Sequence, residues 1–401
     1  MKRFLTILLA LILFVSPLLL FPGSAKAASV TINVYNWGQY LSDGSDGYVN
    51  VIAEFEKTYP DIKVNYMTYD SNETMYTKLQ SGGTTFDVII PSDYMIDKLI
   101  AEDMLEPLDF SNIPNYRYLD DAYKNLAYDP DNIYSVPYTW GYVGIIYNTK
   151  YVNEEDVGSW DLLWNRNYAG KILMFDNPRD AFAIAELLLG YSLNTEDEEE
   201  LAAAAEKLKE QKNLVQSYVM DQIFDKLERE EAWIGAYYAG DYLLMLDENE
   251  DLGFCIPEEG FNIFVDACCI PKGCQHKKEA ETFINFLCQP DICGQNLEWI
   301  GYATPFSESK QYMDEELVES EVVYPPESVL KQGEAFKTLS EEGMQRMNAL
   351  WLSVKTDENV LGKYLIFTIS VLVVVAVLIV IFKVRKRRSL IRRGTYYEPK
   401  A

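Results

Sequence analysis

Two uncharged apolar stretches bracket this chain and constrain everything between them. The first runs from Phe4 to Phe21, behind Lys2 and Arg3 and ahead of small residues ending at Ala27. A basic start, an apolar middle and a small-residue cleavage point are the layout of a secretory signal peptide, expected over 1–27. No cysteine follows the cleavage point, so a lipid-anchored amino terminus is not indicated. The second stretch, Tyr364 to Phe382, has 19 residues and no charge, and Lys383, Arg385, Lys386, Arg387 and Arg388 follow it. At about 1.5 Å per residue it matches the ~30 Å hydrocarbon core of a bilayer. The basic cluster places 383–401 in the cytoplasm by the positive-inside rule. The expectation is a single-pass protein of the cell membrane. Its large domain lies outside, joined by a polar stalk, 352–363, to a transmembrane helix over 364–382.

Charge is segregated along the chain. Of 35 Lys+Arg and 62 Asp+Glu, the outer segment 28–362 holds 23 basic and 61 acidic residues, a net of −38. Such a domain repels nucleic acid and anionic lipid, so a nucleic-acid partner is not expected. Its length suits two lobes better than one core. The six cysteines, Cys255, Cys268, Cys269, Cys274, Cys288 and Cys293, fall in one stretch. Outside the cell an even count suggests disulfides, and buried free thiols remain the alternative. Zinc is disfavoured, because His276 is the one histidine and no paired C-x-x-C is present. No metal or cofactor is expected.

The periodicity is that of an α/β fold. Val30 to Tyr35 alternates as a strand, and Tyr48, Val51, Ile52, Phe55 and Tyr59 recur at helical spacing before Pro60. Ile62 to Met67 alternates again, a helix is expected around Thr74 to Leu79, and the apolar run Val88-Ile89-Ile90 ends at Pro91. Strand, helix, strand, helix, strand builds a parallel sheet, with ligands expected beyond its carboxyl ends. Asn36-Trp37 and Pro91-Ser92-Asp93-Tyr94 lie at such ends. A second α/β unit starts near Gly141, with a strand over Lys171 to Phe175 and a helix over Ala181 to Leu189. The acidic run Glu196 to Glu200 precedes an alanine-rich helix, where acids in the first turn complement the helix dipole without any ligand.

Five stretches in order carry a family resemblance: Tyr35-Asn36-Trp37-Gly38-Gln39-Tyr40, Ser71-Asn72-Glu73-Thr74-Met75-Tyr76, Phe86 to Tyr94, Pro137-Tyr138-Thr139-Trp140-Gly141, and Ile300 to Pro305. Over roughly residues 30–350 the chain resembles the extracytoplasmic solute receptors for polyamines that serve ABC importers. The resemblance implies a two-lobed clamshell of the type II periplasmic-binding-protein kind, with discontinuous lobes. Lobe I takes 28–138 and 263–309, and lobe II takes 139–262 and 310–351. It also implies a ligand caught in the cleft between lobes and a permease as partner.

The ligand chemistry has its own logic. A polyamine is a flexible alkyl chain with separated ammonium groups. It needs spaced carboxylates for the charges and aromatic walls for the methylenes, and those walls attract cations as well. By its motifs the resemblance implies walls from Trp37, Tyr40, Tyr94, Tyr238, Phe264 and Tyr302, and a hydrogen bond from Ser92. Asp266 falls on the acid that grips a terminal amine, Asp180 on a second acidic position, and Asp241 on the pattern of putrescine-type receptors. Asp180 equally fits the first turn of a helix. Asp266 stands among apolar residues in a strand, where an acid without a partner is costly. Asn177 departs from the family, standing where an acid is usual in spermidine-type receptors, as do Tyr238 and Phe264, which stand where Trp is common.

The implied function is a membrane-anchored receptor that captures putrescine or spermidine and delivers it to an ABC permease. The alternatives are a receptor of the same fold for another solute, and a surface sensor without a transport role. An enzyme is not expected: no Gly-x-Ser-x-Gly elbow, phosphate loop or zinc signature is present.

Overall fold

The computed structural model describes residues 29–356 and 360–392. The expected signal peptide, part of the stalk and residues 393–401 of the expected tail lie outside the described residues. The chain forms two compact units. Unit 1 takes the chain up to Gly141 and then Phe264–Tyr324; unit 2 takes Tyr142–Ile263 and the chain from Pro325. The first two passages from unit to unit occur inside strands, in β4 (Ser135–Asn148) and β9 (Phe261–Cys269).

Unit 1 is built on β1 (Val30–Trp37), β2 (Ile62–Tyr69), β3 (Val88–Ile89) and the second half of β9. β1 runs parallel to β2 from Val30↔Ile62 to Trp37↔Tyr69, and parallel to β3 at Val34↔Val88. β9 closes against β3, antiparallel at Ile89↔Cys269. The intervening helices start where the sequence supplies caps. Asn50 accepts from Ala53 N to open the helix Val51–Thr58, and Ser71 accepts from Thr74 N to open Asn72–Gln80. The carboxyl ends of β1 and β3 bring Trp37 and Ser92 to one end of the sheet, as expected of a βαβ array.

Unit 2 repeats the plan. β5 (Ile172–Phe175) is parallel to β6 (Val215–Val219) on one side and to β7 (Ile234–Tyr238) on the other. β7 is antiparallel to β4, from Val143↔Tyr238 to Tyr147↔Ile234. β8 (Leu252–Cys255) also pairs β4, and β10 (Gly333–Glu334) joins β9 at Phe261. The helix Glu198–Gln211 begins with Asp197, whose carboxylate accepts from Glu199 N at 2.9 Å and Glu200 N at 3.1 Å. Glu196 accepts from Ser340 N at 3.1 Å. The acidic run is therefore helix-start chemistry, as its position suggests. All six cysteines are unpaired thiols.

The helix Val360–Arg392 contains the apolar stretch 364–382, whose side chains are described only in part. Among the described residues no helix is long and apolar enough to cross a membrane.

One core residue of unit 2 stands out. The helix Pro178–Leu188 is buried continuously from Arg179 to Leu187, and Glu186 within it is fully buried. Its two carboxyl oxygens take no hydrogen bond among the described residues. Burial pushes its pKa up to about 8; Arg179 pulls it down, while Glu200 and Glu334 push it further up. The folded pKa is raised above the unfolded value, so the folded form holds a proton that the unfolded chain releases above about pH 4.5. Each pH unit from there to about 8 costs the fold roughly 1.4 kcal/mol. Glu186→Gln is expected to stabilise the chain by about 2–4 kcal/mol at pH 7.5 and by little at pH 4.5. Urea titrations at the two pH values measure the difference.

Candidate functional site

In unit 1 the predicted residues converge on Asp266. This residue sits in β9, opposite Ser92 in an antiparallel bridge, and Ala267 N donates to Pro91 O at 3.0 Å. The bridge fixes the strand carrying the acid against the turn that ends β3. Asp266 is 2% exposed. Tyr40 Oη donates to its Oδ2 at 2.5 Å, while Oδ1 is buried and takes no hydrogen bond among the described residues. Burial pushes the carboxyl up to about 6, against the opposing pull of the Ser92 and Tyr40 hydroxyls. A buried carboxylate with one oxygen unsatisfied is costly to the fold.

Aromatic rings gather around its partner Tyr40. Tyr40 meets Tyr302 edge-on at 5.3 Å and Trp37 edge-on at 6.5 Å, and Phe264 lies 6.4 Å from Tyr302. Trp37 is fixed at the end of β1 by its indole N–H, which donates to Ile90 O at 2.9 Å. Gly141 permits this packing: a Cβ there would stand 2.8 Å from Phe264 Cζ and 3.1 Å from Tyr302 Cε1. Ser92 and Tyr94 are joined through Asn72, whose Nδ2 donates to Ser92 Oγ at 3.0 Å and Tyr94 Oη at 3.1 Å. Tyr94 Oη in turn donates to Glu73 Oε1 at 2.9 Å.

A supporting layer was not anticipated from sequence. Tyr138 Oη donates to Tyr40 O at 2.7 Å, and Asn296 bridges Tyr138 Oη (2.6 Å) and Ser42 N (2.9 Å). These bonds hold the backbone that presents Tyr40. Tyr138 lies inside one of the motif stretches, but nothing in the sequence links it to Asn296.

Unit 2 gathers the other predicted residues, Asp180, Tyr238 and Asp241. Asn177 caps the helix Pro178–Leu188: its Oδ1 accepts from Asp180 N at 3.1 Å and its amide donates back to Asp180 Oδ2. The first-turn role of Asp180 is thus real, and Asn177 holds the carboxylate that an acid in its place would repel. Tyr238 Oη also donates to Asp180 Oδ2, at 3.3 Å. Tyr238 packs on Phe175 at 5.3 Å and Tyr237 at 4.9 Å. Asp241 lies in the first turn of the helix Ala239–Glu248.

A third acid joins them. Tyr237 Oη donates to Asp221 Oδ1 at 3.3 Å. Burial raises the Tyr237 pKa well above its ordinary value, and Asp241, Asp221 and Asp180 raise it further. The three acids follow the carboxyl ends of β5, β6 and β7. Sequence reading missed Asp221, although it stands two residues after β6; the rule that ligands sit beyond strand ends was the available signal. Among the described residues no group of His, Cys, Asp and Glu is placed to hold a metal ion.

Known proteins resemble this chain over most of its length. Residues 50–324 match the family model described as bacterial extracellular solute-binding protein. The spermidine/putrescine-binding periplasmic protein of Escherichia coli K12 is 33% identical over 326 residues, covering 80% of this chain and 92% of that protein. The structure of the spermidine/putrescine ABC transporter substrate-binding protein PotD from Streptococcus pneumoniae is 35% identical with a TM-score of 0.69, covering 82% of this chain and 99% of that one. The periplasmic binding protein AgtB of A. tumefaciens, solved with agropinic acid, shares the fold at 17% identity and a TM-score of 0.62, covering 81% of this chain and 98% of that one.

The buried charge at Asp266 has a cost for the ligand-free protein. Its folded pKa is raised, so the cost is present above about pH 6 and shrinks as pH falls toward the ordinary carboxylate range. Asp266→Asn is expected to raise the stability of the ligand-free chain at pH 7.5 by about 1–3 kcal/mol, with a smaller gain at pH 5. Melting curves of the two proteins at both pH values check the sign.

Proposed function

The chain belongs to the bacterial extracellular solute-binding protein family, and on that premise we propose that it captures a polyamine, putrescine or spermidine, and delivers it to an ABC importer permease. It is an extracytoplasmic solute-binding protein and not an enzyme. The observation that carries the polyamine reading is Asp266, a buried carboxylate with one oxygen open, set among Trp37, Tyr40, Phe264 and Tyr302. An ammonium group supplies the missing donor and the missing charge together, and the rings accept methylenes on their faces. Ser92 and Tyr94 extend this set in unit 1. Unit 2 carries a set of its own, Asp180, Asp221 and Asp241 with Tyr238, beyond the carboxyl ends of β5, β6 and β7. Relatives named for spermidine and putrescine binding support the same ligand class.

The proposal includes a tether. The stretch 364–382 carries no charge and a basic cluster follows it. In the helix Val360–Arg392, Val371 to Val375 and Val377 to Phe382 are each 42–67% exposed. Consecutive exposed apolar residues cover every side of a helix, and a helix that is apolar all round belongs in a core or a membrane. Lipid is the occupant that fits, with the receptor held outside and the basic residues inside.

The second reading, a receptor of the same fold for another solute, draws on the fold shared with the agropinic-acid receptor. A thermal-shift panel of putrescine, spermidine, spermine, basic amino acids and sugars separates the two. Polyamines are expected to raise the melting temperature, since excess ligand stabilises the folded state that binds it; a response to sugars and none to amines overturns the reading. Asp266→Asn is expected to weaken polyamine binding by about 2–5 kcal/mol, because the ammonium is left without its charge; calorimetry reads this directly. Burial pushes the free carboxyl up to about 6, and bound ammonium requires it charged. Affinity is therefore expected to fall roughly tenfold from pH 7 to pH 5, and a flat profile removes Asp266 from the site.

A further inference from the structure

We propose that Lys355 is a clamp that fixes where the tether leaves the receptor, at the carboxyl-end face of the unit 2 sheet. This rests on the tethered-receptor reading above. The helix Glu341–Lys355 is the last element before the apolar helix, and residues 356–359 alone separate them. Four intervening residues let the two helix ends stand at most roughly 18 Å apart. The start of the tether therefore lies within that reach of the place where the 341–355 helix ends.

That place is defined by three contacts within unit 2. The Lys355 ammonium pairs with Asp176, the residue directly after β5. Lys212 Nζ donates to Lys355 O at 2.9 Å, satisfying a carbonyl of the last helical turn. One turn earlier, Trp351 packs edge-on against Tyr218, near the carboxyl end of β6, at 5.3 Å, and is 8% exposed. β5 and β6 are parallel, so Asp176 and Tyr218 mark the same end of the sheet. Asp180, Asp221 and Asp241 follow the carboxyl ends of β5, β6 and β7 at that same end. The consequence is an orientation: the acid-bearing end of unit 2 is the end nearest the bilayer, and the opposite end faces outward. The chemistry that receives this surface is that of a membrane-embedded partner.

The test uses the full chain reconstituted in lipid vesicles that carry an energy acceptor on the headgroups. Donor dyes are placed by Gln222→Cys at the carboxyl end of β6 or by Glu231→Cys ahead of β7, with Cys255→Ser and Cys274→Ser as background. Both labelled sites are exposed. Melting curves verify that each labelled chain is folded. Energy transfer from position 222 is expected to exceed that from 231 at least twofold. A ten-residue Gly-Ser insertion after Thr356, and Lys355→Glu alone, are each expected to shrink this difference by half or more. Failure of the chain to float with vesicles overturns the tether reading itself. Flotation with equal or reversed transfer overturns the orientation while leaving the tether intact. A difference that survives Lys355→Glu overturns the clamp.

Discussion

A carboxylate buried in a strand is the constraint on which the rest of unit 1 depends. Moving an isolated carboxylate out of water costs several kcal/mol even after relaxation, and Asp266 is held there by geometry it cannot escape. The bridge to Ser92 fixes its backbone, and Tyr40 takes one of its oxygens. The second oxygen stays open. The aromatic rings follow from the same constraint. They exclude water from the carboxylate, which raises its pKa and strengthens any charge that later meets it. Tyr40 in turn must not drift, and Tyr138 and Asn296 supply the rigidity through its backbone carbonyl.

Much of this was legible in the sequence, for reasons that can be stated residue by residue. The first three strands of unit 1 announced themselves by alternation or apolar runs, and the structure adds their parallel register. Asp266 was picked out by the family resemblance, and its place among Phe264, Val265, Ala267 and Cys268 marked it as an acid in an apolar strand. The acidic run at 196–200 was correctly read as a helix start, since its neighbours explained it. Other features left no local trace. Asn296 and Tyr138 meet across 158 residues, a separation that periodicity cannot bridge. Asp221 follows a strand of mixed polarity, VQSYV, that shows no clean alternation, and one acid among 62 carries little weight by itself. Glu186 was hidden by its helix. Helices usually expose one face, and a glutamate is expected on that face; here nine consecutive residues are buried, so no exposed face exists.

The two kinds of acid in this chain obey different physics. Surface acids sit at helix starts or in short-range pairs such as Lys57–Glu54 and Lys331–Glu327, both well exposed. Such pairs contribute little to stability, and salt screens them. They keep the domain soluble and away from anionic surfaces. Buried acids are few and each needs its own account. Glu281 is satisfied by Asp109 N and the Asn112 amide, so it belongs to the fold. Glu186 resolves its burial by keeping a proton. Asp266 keeps one oxygen that takes no hydrogen bond among the described residues.

A tether changes what the surface of a receptor has to do. A free receptor must find its permease by diffusion, and its docking surface must hold the complex long enough for transfer. A receptor joined to the bilayer by a short segment meets a membrane partner at an effective concentration set by the length and exit point of that segment. Effective concentration falls with linker length roughly as the −3/2 power once the span is covered. Residues 356–359 leave little length to lose, so direction becomes the controlling variable. A tether that left from the wrong end of the sheet would hold the acid-bearing surface away from the membrane however high the local concentration. In the proposed clamp that direction is held by the ion pair of Lys355 with Asp176, the Lys212 bond to Lys355 O and the contact of Trp351 on Tyr218. None is strong alone. They need not be, because a clamp that only selects an exit point works against the entropy of a few residues and not against the stability of a domain.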